Sequence, residues 1–264
     1  MYNTIEYKNN TIRFKDEGIG PVIVLLHGYL ESLEIWSEFS ASLAVQYRVI
    51  SLNLPGHGKS GVFGKVHTME LLAQTVKSVM DFLNTDKYFM VGHSLGGYVA
   101  LAFLELFPEC LSGLSLFHSH PLADSNEAIE NRNREKMLIE NGKKDLIYTV
   151  NIPIAFATDN LEKFSEQVNN AKEIARDIPG EGIVAVLNGM IKRPDRSDIL
   201  ARTSLPFLWI LGRKDNYIPY EEIVKKIRLP QLGKLITLEN SGHMGFMEEK
   251  KKSLDAIQGF LNRY

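Results

Sequence analysis

Apolar residues in this chain follow two rhythms, short unbroken runs and longer stretches at helical spacing. Residues 4–8 and 11–15 alternate apolar and polar positions around Asn9-Asn10, which predicts an antiparallel hairpin. Val22-Ile23-Val24-Leu25-Leu26 is apolar throughout, as a strand buried on both faces requires. Leu33, Trp36, Phe39 and Leu43 then recur with the period of a helix, behind Ser32 as its cap. A further strand is predicted over 47–52. Thr68 caps the next helix, with Leu72, Val76, Val79 and Leu83 on its apolar side. Runs at 88–91, 111–117, 205–211 and 234–238 complete eight predicted strands. Helices are predicted over 98–107, after Pro219 and over 246–261.

The rhythm changes between 122 and 202. No strand pattern occurs there. Polar, helix-forming stretches at 127–141, 144–150, 161–175 and 182–191 are punctuated by Pro153, Pro179-Gly180 and Pro194. Their apolar residues need a surface to bury against, and a cap over the sheet edge supplies one. The expected fold class is therefore α/β: a doubly wound, mostly parallel eight-stranded sheet with helices on both faces and a helical cap inserted after the sixth strand. The expected division is a core domain of residues 1–120 and 203–264 and a cap of residues 121–202.

Composition narrows the functional classes. A net charge of −2 and no basic run longer than Lys250-Lys251-Lys252 argue against a nucleic-acid partner. No apolar run reaches the length of a membrane span, and the N-terminal residues lack the pattern of a signal peptide. Cys110 is the one cysteine, so no intrachain disulfide can form, and a reducing cytoplasm is the expected compartment. No heptad pattern or obvious apolar patch indicates an oligomer.

The chemistry centres on Gly92-His93-Ser94-Leu95-Gly96, a G-x-S-x-G element between a predicted strand and a predicted helix. A serine on so tight a turn is lifted clear of the sheet, and the glycines two positions either side remove side chains that would collide there. A serine hydroxyl is a poor nucleophile at neutral pH and needs a base, which in turn needs an orienting acid. Asp215 and His243 each follow a predicted strand, in the order serine, acid, histidine. Asp124, past the sixth strand, is the rival acid. An oxyanion needs two backbone donors; the N–H of Leu95 is one, and the N–H of Tyr29, in His27-Gly28-Tyr29, is the natural second. His57 and His67 read as structural or exposed, and His93 as packing on the sheet.

On four motifs the chain resembles the α/β-hydrolases that carry a helical cap, among them carboxylesterases, lactonases, carbon–carbon bond hydrolases and perhydrolases. The motifs are His27-Gly28-Tyr29, the loop Asn53-Leu54-Pro55-Gly56-His57-Gly58-Lys59-Ser60, the element around Ser94 with Gly97, and Ser241-Gly242-His243 with Glu248 behind it. The resemblance implies Ser94 as nucleophile, His243 as base, Asp215 as acid, and Tyr29 and Leu95 as the oxyanion hole. Lys250 departs from the proline that many relatives carry there, which touches a helix start and not the chemistry. His118 and His120 form an H-x-H pair, but no third ligand stands at a telling spacing, so no metal and no cofactor is expected. His118, His120 and Phe156 are candidates for the substrate pocket instead. The expected function is a serine hydrolase acting on a small or medium, partly apolar carboxylic ester, lactone or thioester. A carbon–carbon bond hydrolase or perhydrolase on the same residues, or a slow-turnover receptor, is the alternative.

Overall fold

The eight strands are β1 (Tyr2–Tyr7), β2 (Asn10–Glu17), β3 (Val22–Leu26), β4 (Arg48–Leu52), β5 (Tyr88–His93), β6 (Leu111–Phe117), β7 (Phe207–Gly212) and β8 (Gly233–Leu238). In this computed structural model, which describes residues 2–264, they form one sheet in the order β1-β2-β4-β3-β5-β6-β7-β8. Met1, the first residue of the expected core segment, lies outside the described residues. β1 pairs antiparallel with β2, and β2 antiparallel with β4; every other pairing is parallel. Every residue of β5 and β7 is buried, whereas the edge strand β1 buries only Ile5, which is why β5 and β7 read as unbroken apolar runs.

Helices α1 (Ser37–Leu43), α2 (Met69–Phe82) and α3 (Leu95–Leu106) alternate with the strands as far as β6. Thr68 Oγ1 accepts the Leu71 N–H at 3.2 Å, so the predicted cap of α2 is made. Five helices then intervene between β6 and β7: α4 (Asn126–Glu140), α5 (Lys144–Ala155), α6 (Ser165–Arg176), α7 (Gly180–Ile191) and α8 (Ser197–Arg202). The chain closes with α9 (Tyr220–Lys226), α10 (Gly245–Glu248) and α11 (Lys250–Leu261). Packing joins α2 to α3 and α3 to α8, while α1 meets α11.

Three local expectations shift. The helix expected over 246–261 is broken at Glu249, whose φ of −126° and ψ of 51° leave the helical region. Its carboxylate accepts the Asn240 N–H at 2.9 Å and the Ser241 hydroxyl at 2.8 Å, so the side chain serves the preceding loop. The stretch from Leu33 begins as a 3₁₀ turn, Leu33–Trp36, before α1. α5 runs past Val150 to Ala155 with Pro153 inside it; the proline removes the N–H that would bond the Thr149 carbonyl, and the helix ends two residues later.

The order of the strands matters for function. The chain winds from β3 to β4 on one side and then starts β5 on the other. A crevice therefore opens past the carboxyl ends of β3 and β5, where Leu26 lies beside Gly92. Beneath it an aromatic cluster fills the core: the Phe246 ring lies 4.4 Å from Trp36, 5.0 Å from His93 and 5.9 Å from Phe117. Phe246→Ala would empty the middle of this cluster and should cost about 3–5 kcal/mol in urea unfolding. A loss below about 1 kcal/mol would mean that the surrounding rings collapse into the space.

Candidate active site

Ser94 sits between β5 and α3 with φ of 48° and ψ of −112°, a backbone state that L-residues avoid. The reversal is tight enough that a Cβ at Gly92 would lie 2.3 Å from the Gly96 carbonyl oxygen. One at Gly96 would lie 2.3 Å from the Leu26 carbonyl oxygen. The turn is held from below: the Ser94 N–H donates to the Phe117 carbonyl at 3.0 Å and the Ser119 hydroxyl to the Ser94 carbonyl at 2.7 Å. Ser119 is a support that the sequence did not single out, since nothing local distinguishes it from other strand-end serines.

Asp215, past β7, is buried with four donors on its carboxylate. The N–H groups of Tyr217 and Ile218 reach Oδ1 at 2.8 and 3.0 Å. His243 Nδ1 lies 2.8 Å and His118 Nδ1 3.2 Å from Oδ2. Burial alone would raise this carboxyl. The His243 charge and the bonds from His118 and His243 outweigh it and hold the group below the ordinary carboxylate range. An acid–histidine pair is thus formed, and His243 turns its other side to the cavity that Ser94 also lines.

The cavity, about 820 Å³, lies between the strand ends and the inserted helices. Ser94, Tyr29, His120 and His243 all line it. Among the described residues no protein group accepts the N–H of Tyr29 or of Leu95, so both remain available to a ligand oxygen. The Tyr29 side chain points elsewhere, its hydroxyl donating to Glu135 on α4 at 2.8 Å.

Two pocket expectations are corrected. His118 does not line the cavity. Its φ of 47° turns the fully buried ring beneath the loops. There Nε2 accepts the Gly245 N–H at 3.2 Å, which leaves the proton on Nδ1 for Asp215; the Gly212 N–H, also 3.2 Å from Nδ1, finds no lone pair in that tautomer. Phe156 is also fully buried, behind the His243 loop, where a Cβ on Gly242 would lie 2.7 Å from the Phe156 carbonyl carbon. Asp124, the rival acid, is held by other partners than His243: Arg132 grips it at 2.7 and 3.1 Å and Arg193 at 2.6 Å. The wall is also more charged than the apolar insertion implied, with Asp124, Arg132 and Glu135 on it. The apolar residues of the insertion pack between its own helices, α4 on α7 and α5 on α6.

His118, Asp215 and His243 lie close enough to form a three-ligand cluster. The donor set does not fit a metal. Both Nδ1 protons are on the Asp215 carboxylate, and the remaining His118 nitrogen is occupied by the Gly245 N–H. His27, His57, His67 and His93 are buried as well. His57 and His67 pack under the 53–60 loop, and His93 bonds to Glu31 at 3.1 Å and to the His243 carbonyl at 2.9 Å, a role beyond packing on the sheet. Glu31 carries no sequence motif and went unmarked.

A family profile described as "alpha/beta hydrolase fold" matches residues 21–250. A 2-hydroxy-6-oxononadienedioate/2-hydroxy-6-oxononatrienedioate hydrolase of Escherichia coli K12 is 30% identical, over 97% of this chain and 92% of that protein. The dihydrolipoyllysine-residue acetyltransferase component of the acetoin cleaving system of Pseudomonas putida is 29% identical over 93% of this chain. The chain spans only 64% of that longer protein. Among solved structures, a thermophilic esterase from Thermogutta terrifontis, with malate bound, superposes with a TM-score of 0.94 at 29% identity, covering 100% of this chain and 98% of that one.

The buried imidazoles give a pH test. Burial lowers His27 and, well below its ordinary value, His57; it takes His67 and His118 down to about 4 and His120 to about 3. On unfolding each returns to about 6.5, so the unfolded chain binds more protons across that window. His93, raised by Glu31, works in the opposite direction but is one group against five. Stability should therefore fall as pH drops from about 6.5 toward 4, with net uptake of more than one proton on unfolding. Calorimetric Tm across this range checks it; a constant Tm would contradict the burial of these rings as neutral groups.

Proposed function

The chain belongs to the alpha/beta hydrolase fold family, and from that premise we propose that it is a serine hydrolase that cleaves a carboxylic ester, lactone or thioester through an acyl-enzyme. The observation that carries this reading is the cavity shared by Ser94, Tyr29 and His243, with His243 backed by Asp215 at 2.8 Å and the N–H groups of Tyr29 and of Leu95, next to Ser94, unused. His243 takes the proton of Ser94 as its oxygen attacks the carbonyl carbon. The two N–H groups hold the oxyanion, and His243 then protonates the leaving group. Water repeats the cycle on the acyl-enzyme. Asp215 keeps the imidazole in the tautomer that presents Nε2 to the serine. Residues 1–120 and 203–264 act as the catalytic core and residues 121–202 as a lid over the cavity. A volume of about 820 Å³ suits a small or medium substrate, and the charged wall favours one with polar groups beyond the scissile bond. The lone cysteine, Cys110, fits a reducing cytoplasm.

Similarity to the Thermogutta esterase supports the ester reading. The 30% identity to the Escherichia coli hydrolase supports a second one, hydrolysis of a carbon–carbon bond beside a ketone by the same residues.

A steady-state screen of short- and medium-chain p-nitrophenyl esters against vinylogous diketones, with Ser94→Ala beside the wild type, tests both. Multiple turnovers on esters that Ser94→Ala lowers at least a thousandfold, roughly, are expected. Turnover confined to diketones moves the assignment to the second reading. At most one turnover on either class would point to a receptor.

A further inference from the structure

Glu31 and His93 are buried, ionisable and outside the reaction steps derived above, yet they touch three of the elements that those steps need. Glu31 follows Tyr29 by two residues and His93 precedes Ser94. Glu31 Oε2 accepts the Gly28 N–H at 2.5 Å and lies 3.1 Å from His93 Nδ1. The opposite nitrogen, His93 Nε2, lies 2.9 Å from the His243 backbone carbonyl oxygen. A carbonyl oxygen only accepts, so Nε2 carries a proton. Nδ1 faces Glu31 Oε2, and a carboxylate kept ionised by His93 and the Gly28 N–H only accepts, so Nδ1 donates too. The ring is an imidazolium, and no room is left around it: a Cβ at Gly28 would lie 2.8 Å from Nδ1 and 2.9 Å from Glu31 Oε2.

We propose that Glu31 and His93 are positioning residues, a buried carboxylate–imidazolium pair that clamps the oxyanion turn, the nucleophile turn and the loop of the base to one another. The proposal rests on the serine hydrolase reading. Its effect on the oxyanion turn follows from peptide geometry. Glu31 fixes Gly28 by its N–H, and His27 Nδ1–H fixes Gly28 by its carbonyl at 2.8 Å. In a trans peptide the Gly28 carbonyl and the Tyr29 N–H point in opposite directions, so gripping the first aims the second. On the far side, His93 Nε2–H holds the backbone of His243. The charge matters as well. Glu31 borders the cavity two residues from Tyr29, and an uncompensated carboxylate there would oppose the oxyanion; the His93 proton cancels it.

Other groups face this ring. His27 and His118 are kept neutral by burial, Asp215 is anionic, and the His243 ring lies tilted against it at a centroid distance of 4.9 Å; Trp36, Phe117 and Phe246 close the remaining sides. Burial would lower His93, but the Glu31 charge and hydrogen bond and the His243 carbonyl raise it above its ordinary value. Burial would raise Glu31, but His93 and the Gly28 N–H bring it down. A raised folded value means that the clamp is complete below about 6.5 and is lost as pH rises through the folded value of His93. The proposal therefore places a reversible decline of kcat on the alkaline side.

Two measurements test the clamp. The first reads the wild type without turnover: in long-range ¹H–¹⁵N spectra of the histidine rings recorded across pH, a ring close to Phe246 should stay doubly protonated above the range near 6.5 in which an isolated histidine loses its proton. A neutral ring there overturns the proposal, whatever the enzyme turns over. The second compares Glu31→Gln and His93→Asn with the wild type, using kcat per site titrated with paraoxon. Titration counts only competent sites, so mere loss of folded protein leaves kcat per site unchanged. The expected result is a fall of roughly tenfold to a hundredfold in kcat per site. KM for a neutral ester should stay within about threefold, and the alkaline decline should be gone in Glu31→Gln. Unchanged kcat per site in both variants overturns the clamp, whereas absence of turnover in the wild type overturns the serine hydrolase reading alone.

Discussion

No Cβ fits at Gly92, Gly96 or Gly97, and that lack of space sets the reversal at Ser94 on which the rest of the site depends. A Cβ on Gly97 would meet the Ser119 hydroxyl at 2.3 Å, while those on Gly92 and Gly96 would enter backbone atoms of α3 and β3. The crowding is also what makes the turn useful. It brings the start of α3 against the end of β3, the strand that leads into the His27-Gly28-Tyr29 turn. The left-handed φ of Ser94 is a local cost that the paired strands on both sides over-determine.

Around that turn the histidines divide according to what faces them. His27, His57, His67 and His120 face N–H donors, carbonyls, a hydroxyl or apolar rings, and His118 shares the Asp215 carboxylate with His243; burial holds all five neutral. His93 alone faces two oxygen acceptors, one of them a carboxylate, and is raised instead. Asp215 shows the same logic from the acid side. A carboxylate buried so completely is tolerable only with its lone pairs filled, and two imidazoles and two backbone N–H groups fill them. His118 thereby makes the acid rigid without entering the cavity.

Sequence patterns carried most of the fold and pointed to the proposed reacting groups, and the reasons are local. β3, β5 and β7 are apolar along their length because both faces are covered, and Ser94, Asp215 and His243 stand just past strand ends, where a doubly wound sheet leaves its crevice. What went unread depends on contacts between distant residues. Glu31 meets His93 across 62 positions, and His93 meets the His243 carbonyl across 150. His118 and His120 are two residues apart and look alike in the sequence, but a positive φ at His118 sends one ring under the floor while the other lines the wall. The charged wall was hidden for a related reason: α4 is polar on nearly every side and buries only Ile139, so its sequence does not mark which charges, here Arg132 and Glu135, face the cavity.

The inserted helices are bound to the loop of the proposed base more closely than a simple cover would be. The His243 N–H donates to the Ala155 carbonyl at 2.6 Å, and Asn160 Nδ2 donates to the Asn240 carbonyl at 2.7 Å. Glu248 joins the two sides: Oε1 accepts the Ala157 N–H and Asn160 Nδ2, each at 2.8 Å, and Oε2 accepts the Gly242 N–H at 2.9 Å. Burial pushes this carboxyl up even so, against the pull of its donors. Asn216, next to Asp215, donates to the Ile154 carbonyl at 2.9 Å. The end of α5 is therefore a wall of the loops that present Asp215 and His243. An opening of the insertion that kept the acid–histidine pair intact has to bend between this anchored end and the helices beyond it. Tyr29 and Glu135, which meet across the cavity, form a contact that such a bend would break without disturbing His243.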